Sequence, residues 1–190
     1  MPETYEALKE ILKGRLNEKR YYHSLCVADE ALRLAEKYGG NSEKAYLAGL
    51  LHDITKNAPK EEHLKIFAEF DVILNNVELK AEKLWHAMSG AAYVQHYLGI
   101  KDTEIIDAIR YHTTAKAGMS LLAKILYLAD FTSADRDYDD VDVIRGYVDE
   151  SLDKAFVYAL QYSVIDLVNS GRAVHSDTVA AYNEAVLKNG

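Results

Sequence analysis

His23, His52, Asp53, His86, His112 and Asp130 each stand at or near the end of an apolar stretch of this sequence. A carboxylate in such a place needs a cation or several hydrogen-bond donors to offset its desolvation. A neutral imidazole there offers a nitrogen lone pair. Taken singly, a histidine of this kind is ordinarily a hydrogen-bonded or surface residue; the joint presence of all of them, with His52 and Asp53 adjacent, points to metal. Imidazole nitrogen combined with carboxylate oxygen suits a borderline first-row cation such as Fe, Mn, Co or Zn, and a set without thiolates is catalytic rather than a structural staple. The donors exceed what one catalytic ion needs if it is to keep positions free for water. The expectation is therefore two divalent or mixed-valent transition metals, with Asp53 bridging them and acting in catalysis.

The elements that must carry these side chains read as helices throughout. Two prolines and long Ala-, Leu-, Glu- and Lys-rich stretches favour an all-α class. Tyr5, Leu8, Ile11, Leu12 and Leu16 mark a first helix ending near Asn17, a flank or lid. A second helix starts near His23, carries Leu25, Ala28, Leu32 and Ala35 and stops at Gly39-Gly40. Asn41 or Ser42 caps a third, whose Leu47, Ala48, Leu50 and Leu51 lead to His52-Asp53. Pro59 opens a fourth, and residues 71–78 form a connection with some helical turns. A helix from Ala81 through Trp85-His86 closes at Gly99; Asp102 caps the next, which brings Ile105, Ile106 and Ile109 round to His112. Residues 115–118 form a loop before an apolar helix over Leu121–Asp130. Residues 135–142 hold five aspartates without periodicity and read as a surface loop. Two or three more helices follow, with Leu152, Phe156, Ala159, Leu160, Val164 and Leu167 as the stripe of the longest and Val179, Tyr182 and Val186 as that of the last.

Around the cluster, Lys56 can face the same cavity three residues after Asp53 and meet a phosphate oxygen, or remain a solvated surface lysine. Arg20, one turn before His23, and Arg136 can clamp phosphate bidentately. Thr113 can reach substrate, although it and Thr114 equally suit backbone capping. Arg110 is expected to face away from His112 as an ion-pair partner, and His63, His96 and His175 to be structural or surface residues. Tyr22, Tyr111 and Tyr138 are the tyrosines nearest the site in sequence and the candidates for base stacking.

The net charge of −8 argues against a nucleic acid polymer held by its phosphates. It leaves open a small anionic substrate neutralised locally by metal, Arg and Lys. The single cysteine, Cys26, lies on an apolar helix face and forms no internal disulfide. With no signal-like N-terminal stretch and no apolar run of transmembrane length, the expectation is a cytoplasmic protein without a membrane partner.

The spaced pattern His23, His52-Asp53 and Asp130 resembles the HD-domain metal-dependent phosphohydrolases, and His86 and His112 match the branch of that superfamily that holds two metals. The blocks Arg20-Tyr21-Tyr22-His23-Ser24-Leu25, Ala48-Gly49-Leu50-Leu51-His52-Asp53 with Lys56, Leu84-Trp85-His86-Ala87, Ala108-Ile109-Arg110-Tyr111-His112-Thr113-Thr114, Tyr127-Leu128-Ala129-Asp130 and His175-Ser176-Asp177-Thr178 are similar to the bacterial symmetrical bis(5′-nucleosyl)-tetraphosphatases of the YqeK type over most of the chain. The resemblance implies that residues 1–190 form a single helical HD domain with an inward-facing, dinuclear, iron-containing centre. It implies symmetrical cleavage of diadenosine tetraphosphate and related dinucleoside polyphosphates to two nucleoside diphosphates by a metal-activated hydroxide. It also implies that His23, His52, Asp53 and Asp130 hold one metal and Asp53, His86 and His112 the other. Ala115-Lys116 and Thr132-Ser133-Ala134-Asp135 depart from the family wording, at the substrate pocket rather than the ligands. An HD nucleotidase or alarmone hydrolase with another nucleotide, a nucleotide-sensing module and an oxygen-activating di-iron enzyme remain alternatives, and the oligomeric state is open, a homodimer included.

Overall fold

The computed structural model describes residues 4–189, which form eleven α-helices and one 3-10 turn with no strand among them. Helix α1 spans Tyr5–Arg15, α2 Glu18–Tyr38, α3 Ser42–Leu51, α4 Lys60–Glu69 and α5 Asn76–Lys80. The 3-10 turn Glu82–Leu84 leads into α6, Trp85–His96, followed by α7, Thr103–Tyr111, and α8, Leu121–Thr132. Helices α9, Val141–Glu150, α10, Leu152–Asn169, and α11, Ser176–Asn189, complete the order.

Side chains that replace missing backbone partners set most of the helix starts. Asn17, Asn41, Asp102, Ser120 and Ser151 each accept a hydrogen bond from a backbone N–H in the first turn of α2, α3, α7, α8 and α10. Asn75 and Glu78 form a reciprocal capping box that nucleates the five-residue α5 inside the expected connection. Helix α2 ends at Gly39, whose φ of +73° is open to glycine without a Cβ clash.

Helix α8 is the centre of the molecule and packs against α2, α3, α7, α9 and α10. Leu122, Ala123, Ile125, Leu126, Tyr127, Leu128 and Ala129 are all buried, so it is apolar nearly all round, as a helix enclosed by others must be. The relative placement of His23 and His52 is set by the contact of α2 with α3. A Cβ on Gly49 would lie 2.7 Å from the Ala28 Cα, so only glycine lets the two backbones approach this closely. That contact brings the helix carrying His23 against the helix that ends at His52. Helix α1 flanks the core through Leu8 and Leu12, and Cys26 is buried.

The structure departs from the sequence reading at the C-terminal side. Burial along α10 stops at Leu160; Val164 and Leu167 are half-buried and Val168 is 60% exposed. Helix α11 turns Thr178, Ala181 and Ala185 inward and leaves Val179 and Val186 exposed, because its small side chains allow the close approach to α10. Residues 135–140 are the expected loop, with Asp137, Asp139 and Asp140 exposed, but Asp135, Arg136 and Tyr138 are half-buried rather than lying on the surface. Arg145 of α9 donates to the carbonyls of Thr132, Ser133 and Arg136, drawing the segment onto the end of α8, and Val141 and Asp142 already belong to α9. Ala115 holds a left-handed φ of +55°, and Lys116 pairs with Asp107 at 2.6 Å and lies over the Tyr111 ring.

Candidate metal centre

Five of the six side chains lie on helices or their caps, and Asp53 follows His52 in the turn beyond α3. His23 lies in the first half of α2, His52 caps the C-terminus of α3, His86 is in the first turn of α6, His112 caps the C-terminus of α7, and Asp130 is in the last turn of α8. Beyond His52 the chain continues in tight turns, with Lys56 N–H donating to the Asp53 carbonyl and Ala58 N–H to that of Thr55. A buried hydroxyl network then ties this turn to α6. The Thr55 hydroxyl donates to the His86 carbonyl at 2.9 Å and lies 2.8 Å from Ser89 Oγ, which also meets His63 Nδ1 at 2.7 Å. Asp53 and His86 are thus held in one rigid unit.

The donors converge on two sides of Asp53. On the first side, Asp53 Oδ2 is 3.6 Å from His52 Nε2, and Asp130 Oδ1 is 3.0 Å from His23 Nε2 and 3.8 Å from His52 Nε2. On the second, Asp53 Oδ1 is 3.2 Å from His86 Nε2 and 3.7 Å from His112 Nε2, and those two nitrogens are 3.1 Å apart. The four imidazoles form a chain of edge-to-face neighbours, His23 to His52, His52 to His112 and His112 to His86, with centroids 5.0–5.3 Å apart. Donor atoms of His23, His52 and Asp130, and again of His52, Asp53 and His112, lie within 4.8 Å of one another.

Their tautomers and charges fit a cation. His52 Nδ1 meets the Gly49 carbonyl and His112 Nδ1 that of Ile109, both at 2.7 Å, which directs each Nε2 lone pair inward. Burial holds His52 down to about 4 despite Asp53 and Asp130, and burial likewise keeps His86 well below the ordinary histidine value. Burial alone would raise Asp53, but His52, His112 and Lys56 hold its carboxyl well below the usual range; Arg136 and His23 do the same for Asp130 against its own burial. A neutral His52 and a neutral His86 beside ionised carboxylates are the protonation state that metal binding requires. His52 Nε2 and Asp53 Oδ1 are buried without a hydrogen-bond partner. Orphaned acceptors of this kind are costly unless a cation takes them, so the residues fit a metal.

Three basic side chains ring the carboxylates. Arg20 Nη1 is 3.0 Å from Asp53 Oδ2, Lys56 Nζ is 3.0 Å from His86 Nε2 and 3.7 Å from Asp53 Oδ1, and Arg136 donates to both the side chain and, at 2.6 Å, the carbonyl of Asp130. Burial lowers the Lys56 ammonium, with Asp53 and Asp130 opposing. Thr113 lines a cleft of about 660 Å³ with Leu84, Leu167 and His175, and its hydroxyl is buried without a partner. His63 and His175 are buried and hydrogen-bonded, His96 stacks on Phe70 at 4.0 Å, and Arg110 pairs with Glu78 at 2.6 Å. Of the tyrosines, Tyr22 is 58% exposed, while Tyr138 stands beside Asp130 and Arg136.

Sequence reasoning missed Asp135. Its Oδ2 is 2.8 Å from His23 Nδ1, and its Oδ1 accepts from the Ser133 hydroxyl at 2.8 Å, so it orients the His23 ring toward Asp130. The available signal was its place five residues beyond Asp130, inside one of the segments that depart from the family wording.

This arrangement of helix-end histidines and aspartates defines a class: residues 20–135 match the HD domain family, and the chain belongs to it. Within that family its similarity is to symmetrical bis(5′-nucleosyl)-tetraphosphatases. The protein of that name from Bacillus subtilis (strain 168) is 37% identical over 90% of this chain and 92% of its own length, and that from Staphylococcus aureus (strain NCTC 8325 / PS 47) is 34% identical over 94% and 92%. The crystal structure of a "predicted HD superfamily hydrolase involved in NAD metabolism" from Clostridium acetobutylicum superposes with a TM-score of 0.94 at 34% identity, covering 97% of this chain and 98% of that one. The chain is thus an all-helical HD hydrolase of the metal-dependent kind. No helix among the described residues is long and apolar enough to cross a membrane.

Proposed function

We propose that this chain, acting as one domain in the cytoplasm, hydrolyses diadenosine tetraphosphate and related dinucleoside polyphosphates symmetrically to two nucleoside diphosphates. The observation that carries the reading is the division of Asp53 between two donor sets, Oδ2 with His52 and Oδ1 with His86 and His112. The named relatives supply the substrate. His23, His52, Asp53 and Asp130 would hold one divalent ion and Asp53, His86 and His112 the second. Iron is the metal the family resemblance suggests, and Mn, Co and Zn suit the same nitrogen and oxygen donors. Such ions, when bound, acidify water and neutralise phosphoryl oxygens.

The chain's own residues do the rest. Asp53 and Asp130 contribute negative charge that holds the centre together, and the inward-facing Nε2 atoms keep its geometry fixed before substrate arrives. Arg20, Lys56 and Arg136 balance those carboxylates and stand where they can share the charge of the inner phosphates and of the departing nucleoside diphosphate. Lys56 serves as a point charge, whereas the two arginines can engage phosphate oxygens in pairs. Thr113, in the cleft lined by Leu84, Leu167 and His175, is a further candidate for a substrate contact.

The test is product analysis. Metal-loaded protein incubated with diadenosine tetraphosphate and resolved by anion exchange is expected to give ADP alone. AMP with ATP in equal amounts would overturn symmetrical cleavage, and faster release of phosphate, pyrophosphate or triphosphate from another nucleotide would favour a different HD nucleotidase.

A further inference from the structure

Beside the metal centre, a cleft of about 270 Å³ is lined by Asp130, Phe131, Arg136, Tyr138 and Tyr162. Its lining brings together a candidate metal ligand, an arginine and three aromatic rings. Tyr138 and Tyr162 stand with ring centroids 5.7 Å apart at 43°, and Phe131 meets Tyr162 edge-on at 6.4 Å. The Tyr138 hydroxyl donates to the Phe131 carbonyl at 3.0 Å, so that ring is fixed rather than free to turn. Tyr162 comes from α10, outside residues 20–135 that match the HD domain family.

The volume of about 270 Å³ lies just below the roughly 300–1,000 Å³ that small-molecule pockets span, the scale of one nucleoside rather than a whole dinucleotide. Aromatic walls suit a flat π-face, and an adjoining guanidinium suits the phosphate that a nucleotide carries next to its ribose. We infer that this cleft is the subsite for one nucleobase of the substrate, with Tyr138 and Tyr162 stacking the base and Arg136 receiving its proximal phosphates. The inference rests on the nucleotide substrate proposed above. Stacking is tolerant of base identity because every base presents a π-face, so the subsite accepts adenine and guanine alike. It also gives a role to Tyr162, through which α10, a helix with no candidate metal ligand, reaches the cleft beside Asp130.

The test uses the metal-loaded protein and three forms: wild type, Tyr162→Ala and Tyr162→Phe. Titration with the fluorescent product analogue 1,N6-etheno-ADP reads base binding directly, and inhibition by inorganic tetraphosphate reads the phosphate site without a base. Tyr162→Ala is expected to weaken etheno-ADP binding about tenfold and to raise KM for diadenosine tetraphosphate by a similar factor, with kcat nearly held. Tyr162→Phe should restore both to within about twofold, and tetraphosphate inhibition should not change in either variant. Unchanged etheno-ADP affinity in a folded Tyr162→Ala protein overturns the subsite, as does an equal loss of tetraphosphate inhibition, which marks a structural defect. If wild type fails to cleave the dinucleotide yet Tyr162→Ala selectively loses etheno-ADP, the subsite stands and the substrate assignment falls.

Discussion

Replacing Gly49 by alanine puts the contact that assembles the site under direct strain. The added Cβ would lie 2.7 Å from Ala28 Cα, 2.9 Å from Ala28 N and 2.9 Å from the Val27 carbonyl oxygen. All three obstacles are backbone, so no side chain can rotate away. An ordinary contact begins at 3.4 Å, so α2 and α3 must separate by about 0.7 Å. Overpacking of a tight interior costs about 1–3 kcal/mol, and an obstacle made of helix backbone belongs at the upper end. The better helix propensity of alanine returns about 1 kcal/mol, leaving a net loss of about 2 kcal/mol. In a domain of this size, that lowers Tm by about 4–8 °C. The same change at Gly146, an exposed position of α9 where a Cβ meets nothing within 4 Å, should instead raise stability by about 0.5–1 kcal/mol. Thermal and urea unfolding followed by far-UV circular dichroism measure both. Separation also moves the Gly49 carbonyl that orients His52 and shifts His52 relative to His23, so metal affinity should fall with stability. A Gly49→Ala protein as stable as wild type would refute the argument that this close approach sets the fold.

Further consequences concern the centre and its supports. Asp53→Asn keeps the shape but removes the charge shared by both donor sets, and turnover should fall below about 1% of wild type with the helical signal intact; substantial residual activity after chelation controls would exclude a bridging role. Asp135→Ala leaves His23 Nδ1 without its 2.8 Å partner and should weaken metal binding or turnover about 10- to 100-fold, measured by competition with a chromogenic chelator and by steady-state rates. Glu78 is buried, and although burial raises its pKa, the Asn75 N–H, Arg110 and His175 bring it below the ordinary value. A depressed folded-state pKa stabilises above the unfolded pKa and loses that contribution as pH falls through the folded one. Glu78→Gln should therefore be less stable than wild type at neutral pH by about 1–3 kcal/mol, the gap closing as pH falls below the ordinary glutamate range; a gap independent of pH would remove Glu78 ionisation as its cause.

What could be read from the sequence follows the range of the forces involved. Helix ends at Gly39, Asn41 and Asp102 are legible because capping is settled within a few residues, whereas the cap at Asn17 was missed and α2 begins at Glu18 rather than near His23. The convergence of the six histidine and aspartate side chains was legible because a carboxylate ending an apolar run has few ways to be satisfied. Asp135 was not, because its segment is held by Arg145 from the next helix, and local composition alone marks five aspartates as solvated. The docking face of α11 was misread for a similar reason: Val179 and Val186 repeat as regularly as Ala181 and Ala185, and only the closeness of α10 selects the smaller pair. Thr113 follows His112 directly, yet the chain turns at the end of α7 and sends its side chain to a different cleft.

The central claim is that Asp53 joins two cation sites rather than completing one. Metal-free protein titrated anaerobically with Fe(II), and separately with Mn(II), should bind two equivalents per chain, measured as bound metal after rapid desalting. Saturation at a single equivalent with both metals, in protein that then turns over at its full rate, would contradict it.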